Sequence, residues 1–212
     1  MDKHEPTLDR FLKDVGNHQM EVIRDDGVHR HLRFRAPGCS AYWFDILTWP
    51  GALCIDGDCG SHVFRRLTDM FEFFRATPRD GEEPGTYINA GYWSEKVVSG
   101  GKGYDKGLEE FVPEIFRSQI VRWYRDYFRD SGQFTEAKEG FQQLREEVLG
   151  MADDGEHAAM AAAYHFQIEN THHRPFEDIS TSAFKRYTWH FIWCLRAIAW
   201  AIHQYDSRPV EA

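Results

Sequence analysis

The sequence lacks most of the features that would place it in a special class. No apolar run is long enough to cross a bilayer comfortably. The most apolar stretch, Tyr187 to Ile202, carries His190 and Arg196. The opening residues, MDKHEPTLDRFLKD, are charged and have no apolar core of a signal peptide. Only four cysteines occur, Cys39, Cys54, Cys59 and Cys194, and their spacing outlines no disulfide framework for a chain of 212 residues. Reduced thiols and a cytoplasmic location are therefore expected. No internal repeat, low-complexity tract or clear linker interrupts the chain.

Catalytic signatures are equally scarce. No Ser/His/Asp arrangement, HExxH motif or pair of catalytic carboxylates stands out, although triads are set by geometry and their absence from sequence is a weak argument. The loop Gly57-Asp58-Cys59-Gly60-Ser61 could offer backbone N–H groups to a phosphate. It lacks the lysine of a Walker loop and is not GxGxxG. Cys54, Cys59 and His62 follow a Cys-x4-Cys-x2-His spacing with no second pair of the kind zinc draws on. A hairpin with Cys54 as a small buried hydrophobe is the simpler reading. No cofactor and no metal are expected, and a binding protein is expected in preference to an enzyme.

What is present is an ordinary globular mixture, 42% hydrophobic and 28% charged. Aromatics reach 15%, with seven Trp and sixteen Phe, so a well-packed fold is expected. One domain is the simplest count for this length. The formal charge is −9 and the pI about 5.6. Phosphate repels such a chain at long range, so direct nucleic-acid binding is not expected. A basic partner surface, or imitation of phosphate, stays open alongside plain solubility.

The periodicity predicts an α+β fold. Leu8, Phe11, Leu12 and Val15 recur at helical spacing after Thr7, a capping residue. Short strands follow at Met20 to Arg24, His29 to Arg35, Tyr42 to Thr48, Leu53 to Asp56 and His62 to Arg66, joined by tight turns. A short helix is expected over Asp69 to Arg75, and residues 76–107 read as a long loop holding a compact aromatic element. The second half is helical, over Phe111 to Arg129, from Ala137 to near Gly150, over Glu156 to Ile168 and over Ala183 to Tyr205. The last is apolar nearly all round and should be a central buried helix. The expected architecture is a single domain, 1–212: an N-terminal antiparallel β-meander of four to five strands (1–98) packed against a C-terminal bundle of about four helices (104–206). The glycine-rich stretch 99–103 is the candidate hinge.

Three regions are candidate binding sites. Strict alternation puts Leu32 and Phe34 on one face of a strand and His29, His31, Arg33 and Arg35 on the other. Arginine forks suit carboxylates and phosphates. A solvated face with Arg33 or Arg35 paired to Asp45 on the next strand is the simpler reading. Asp58 belongs to the glycine-rich hairpin and would join these arginines at a small anionic ligand. Tyr92, Trp93 and Glu95 could stack on a ring and bond to it, or Tyr92 and Trp93 could plug the loop onto the core. Arg122, Arg125 and Arg129 form a basic stripe, which Asp126 and Asp130 can neutralise within one helix.

The segments HLRFRAPG, FDILTWPGALCIDGDCGSHVFRR, DMFEFFR, INAGYWSEKV and FIWCLRAIAWAIHQYD resemble a family of accessory proteins encoded by tailed bacteriophages and prophages, a family with no settled biochemical activity. The resemblance runs over roughly residues 18–206 and is densest over 30–98. Ala90 and Cys59 depart from the expected pattern. The resemblance implies a host bacterial cytoplasm and a role in host takeover or evasion of bacterial defence, such as inhibition of CRISPR systems. The expectation is stoichiometric binding of a host protein complex through His31, Arg33, Arg35, Asp58, Tyr92, Trp93 and Glu95, without membrane association. The alternative is a nucleotide-like ligand or an enzyme using the Arg33, Arg35 and Asp58 region.

Overall fold

The computed structural model describes residues 6–75, 84–101, 107–131 and 134–209. In chain order the elements are α1 (Leu8–Val15), β1 (Gln19–Asp26), β2 (His29–Arg35), β3 (Phe44–Trp49), β4 (Ala52–Gly57), β5 (Gly60–Arg65), α2 (Met70–Phe74), α3 (Ala90–Ser94), β6 (Val97–Gly101), β7 (Glu109–Phe111), α4 (Pro113–Ser131), α5 (Phe134–Leu144), α6 (Glu156–His165), β8 (Lys185–Tyr187) and α7 (Trp189–Asp206). The class is α+β. Two compact units form: one from the chain up to Leu108 together with Tyr187 onward, the other from Glu109–Arg186.

The first unit is a six-stranded antiparallel sheet in sequential order, β1 to β6. Alternation decides its faces. Leu32 and Phe34, Phe44 and Ile46, Leu53 and Ile55, and Phe64 are all fully buried on one side. That side packs with α7 and with Phe11 and Val15 of α1 in one core. Helix α7 buries Phe191 through Leu195 consecutively, so no single stripe describes it and most of its surface is covered. Thr7 and Thr188 cap α1 and α7 by accepting from Arg10 N and Phe191 N. Gly51, at φ +84°, turns β3 into β4 where a side chain would strain the backbone.

Several boundaries differ from the sequence reading. A sixth strand, β6, emerges from the stretch read as loop. Its two valines are followed by Ser99, Gly100 and Gly101, and so give only a short strand signal. Positions 76–83 and 102–106 of that stretch lie outside the described residues, including part of the proposed hinge. The last helix begins at Trp189, because Thr181–Phe184 form a 3-10 turn and Lys185–Tyr187 pair with β7.

The second unit gathers α4, α5 and α6 around Phe116, Ile120, Tyr124, Leu144, Val148 and Phe184. Tyr124 donates to the Ala137 carbonyl at 2.8 Å, and burial pushes its phenol up to about 12. Helix α5 runs on into a π-helical turn at Arg145–Leu149 and a 3-10 turn at Gly150–Asp154.

A buried charged group, Arg30, sits on the inner side of the sheet. Arg30 shares the parity of Leu32 and Phe34 and is 9% exposed. Its guanidinium forks onto Asp69 at 3.0 and 2.9 Å. Asp69 Oδ1 also caps α2 by accepting from Phe71 N. The guanidinium lies 4.5 Å from the Phe71 ring centre and 5.5 Å from that of Tyr205. Tyr205 accepts from Arg30 Nε and donates to Asp25. Burial opposes both charges, but the mutual hydrogen bonds outweigh it, raising Arg30 and lowering Asp69. Asp69→Ala leaves a buried cation unpaired and removes a helix cap. We expect a loss of about 3–5 kcal/mol in urea unfolding, partly recovered by Arg30→Met in the double variant.

His62 is another polar group in this core, 3% exposed, with Nδ1 meeting no hydrogen-bond partner among the described residues. Its ring packs edge-on against Phe191 at 5.2 Å. A β-carbon on Gly100, directly opposite on β6, would collide with Nδ1, which accounts for glycine there. Burial, and secondarily nearby His190, lower its pKa from 6.5 to about 4. Between those values the unfolded chain binds the extra proton, so stability is complete above about pH 6.5 and falls as the pH drops towards 4. The expected loss is about 3 kcal/mol. His62→Leu should abolish this slope when urea midpoints at pH 7 and pH 4.5 are compared.

Candidate functional site: the outer face of the sheet

The face opposite the core carries the polar alternation read from β2. Register aligns it into two rows that cross the sheet. One runs Arg24, His31, Leu47, Cys54, Val63 and Ser99, each directly opposite the next. The other runs Glu21, Arg33, Asp45, Asp56 and Ser61. Trp49, Ala52 and Arg65 align beyond the first row. The face therefore has an apolar centre, with Leu47, Trp49, Cys54 and Val63 half-buried among their neighbours, between charged margins.

The charged row is organised around Asp45, which is 6% exposed. Arg33 donates to it through Nε at 2.9 Å and Nη2 at 2.8 Å. His31 Nε2 lies 2.8 Å from the same carboxylate. An ionised carboxylate only accepts, so that nitrogen carries the hydrogen. Burial alone would raise the Asp45 carboxyl; the bonds from Arg33 and His31 outweigh it and hold the carboxyl below its usual range. Asp45 stands directly opposite Asp56, an arrangement that repels unless one charge is neutralised. Arg33 supplies that neutralisation and is thereby fixed in one orientation.

The other sequence candidates are dispersed. Arg35 is 60% exposed at the end of β2, 3.9 Å from Glu21. It borders a hollow of about 700 Å³ with Glu21, Pro37 and Cys39. A neighbouring hollow of about 540 Å³ shares Pro37 and Cys39 and adds Asp14, His18 and Tyr42. Asp58 is tied into the fold here: its carboxylate accepts from Tyr42 N at 3.0 Å and helps hold Tyr42 at φ +59°. Trp93 is buried at 2% and packs edge-on against Phe74 at 4.8 Å, so it plugs the core. Tyr92 stays 42% exposed beneath the Lys96 ammonium, and Lys96 pairs with Glu95 at 3.0 Å. Tyr92, Trp93 and Glu95 precede β6, four strand spacings from β2, or about 19 Å. The polar strand and the aromatic loop thus do not converge on one pocket.

Sequence reasoning missed the apolar centre. Leu47, Cys54 and Val63 lie on three strands and become neighbours only through register. Elsewhere, the α4 stripe is neutralised from Asp126, 2.8 Å from Arg129 and 3.9 Å from Arg122. Among the described residues no group of three or more His, Cys, Asp or Glu side chains could hold a metal ion, and no helix is long and apolar enough to cross a membrane. No family model, no curated protein and no solved structure matches this chain.

Asp45→Asn should cost about 1–3 kcal/mol in urea unfolding, because it weakens the three charge-assisted bonds that Arg33 and His31 make at a buried site. The depressed carboxyl contributes fully above its unfolded value and loses its contribution as pH falls below it, so the difference between variant and wild type should shrink in strong acid.

Proposed function

We propose that the protein acts by stoichiometric binding, with the outer face of the sheet docking on a host protein complex in the bacterial cytoplasm. The role that fits this mode is that of a phage-encoded accessory protein directed against a bacterial defence system such as CRISPR. One observation carries the reading: the register sets an apolar centre of Leu47, Cys54 and Val63, with Trp49 beside it, between charged margins. Protein interfaces share that anatomy, with an apolar core and a polar rim. Trp49 is of the residue type that dominates binding energy at such centres. Arg33, already held by Asp45, loses little side-chain freedom on docking. Arg35 would contribute at the margin beside β2, and Tyr92 and Glu95 beyond the β6 margin.

The test has two stages. Affinity capture from host lysate, read by mass spectrometry, identifies the partner. Titration of the purified partner then measures stoichiometry and affinity for wild type, Trp49→Ala and Val63→Arg, with Tyr164→Ala in the second unit as control. One-to-one binding that weakens by roughly a hundredfold in the two face variants, and not in the control, is the expected result. Equal affinity in all four proteins overturns the reading. So does the absence of any partner combined with unchanged phage plating on defence-positive hosts.

A further inference from the structure

Strand β1 is one edge of the sheet and its longest strand, and it leaves Val22 at 44% and Ile23 at 45% exposure. The pairing of β1 with β2 is regular except for one irregularity: Val22 lies opposite Leu32 and Arg24 opposite His31, so Ile23 is an extra residue. Such a bulge reverses the alternation beyond it. Glu21 and Arg24, three residues apart, would lie on opposite faces of a regular strand. Here Glu21 pairs with Arg33 and Arg24 with His31, two outer-face residues, so both charges share the outer face.

We propose that the outer edge of β1, unpaired among the described residues, pairs antiparallel with β1 of a second copy of this chain, about a two-fold axis through the bulge. In that register Val22 faces Ile23 of the other copy. Glu21 falls opposite Arg24 of the other copy, twice by symmetry. A two-fold pair requires opposed residues to share a face, and the bulge is what satisfies this for Glu21 and Arg24. A shift of one residue sets Glu21 against Asp25, which lies on the other face opposite Arg30, and a shift of two sets it against Asp26, a like-charge pair on the same face. Bulges and charges ordinarily blunt an edge against indiscriminate pairing. A bulge whose flanking charges complement themselves blunts it against other strands while admitting its own copy. Arg24 is free to exchange partners: its own-chain contact, Asp26 at 3.1 Å, is surface-exposed, as Arg24 itself is.

Sedimentation velocity from roughly 1 μM to 1 mM tests the association. Wild type should pass from monomer to dimer within that range, with amide exchange in residues 19–26 slowing as concentration rises. Arg24→Glu sets Glu opposite Glu21 twice and should weaken the dimer by about tenfold or more. The double variant Glu21→Arg with Arg24→Glu restores opposite charges and should return the dissociation constant to within about threefold of wild type. A wild type that stays monomeric throughout overturns the proposal. So does a dimer that is indifferent to Arg24→Glu, or one whose loss the charge swap does not repair. Circular dichroism of each variant verifies the fold, and unchanged exchange in residues 19–26 on dimerisation also counts against the β1 edge.

Discussion

The forked bond between Arg30 and Asp69 ties together parts of the first unit that no local interaction could join. Arg30 belongs to the second strand, Asp69 to the cap of α2, and Tyr205 to the last turn of α7. Hydrophobic burial is indifferent to small shifts of a helix over a sheet, whereas a fork between two planar groups is not. The core supplies the bulk of the driving force, and this pair supplies the register. Its location among Phe71 and Tyr205 makes the pair costly to break and of small net worth to make.

The two faces of the sheet divide the labour. On the inner face, Arg30, Thr48 and His62 are the buried polar exceptions among the described residues. Every guanidinium nitrogen of Arg30 makes a hydrogen bond, while His62 leaves a ring nitrogen without a partner among the described residues. On the outer face the polar groups are prearranged around Asp45, and the apolar ones are only half covered. A rigid surface of this kind suits recognition by complementarity, since little has to be ordered when something lands on it.

Much of this was legible in the sequence. The alternation from His29 to Arg35 assigned the faces of β2, and Asp45 was readable as a partner for Arg33. The stretch from Ala183 to Tyr205, apolar nearly all round, points to a buried helix. Arg30 was passed over, although its parity with Leu32 and Phe34 was the available signal. His62, a zinc-ligand candidate by its spacing from Cys54 and Cys59, shares the inward parity of Phe64 and lies in the core. Strand β6 was missed because Ser99, Gly100 and Gly101 form little of a pleated, half-buried surface; the glycine opposite His62 is explained by tertiary crowding, which no local pattern encodes. The row of Leu47, Cys54 and Val63 exists only once three strands are in register.

The order of the chain has a consequence for how the protein is made. The first unit draws its sheet from the early residues and its central helix from the last ones, with the whole of Glu109–Arg186 synthesised in between. On a ribosome, the sheet emerges long before α7, and the inner aromatic face waits without its cover. The second unit is contiguous and has all its residues in hand sooner. The unit whose strands are translated first is therefore the last to be completed, and the nascent chain passes through an interval in which Phe34, Phe44 and Phe64 are within reach of chaperones or of one another's neighbours on a polysome.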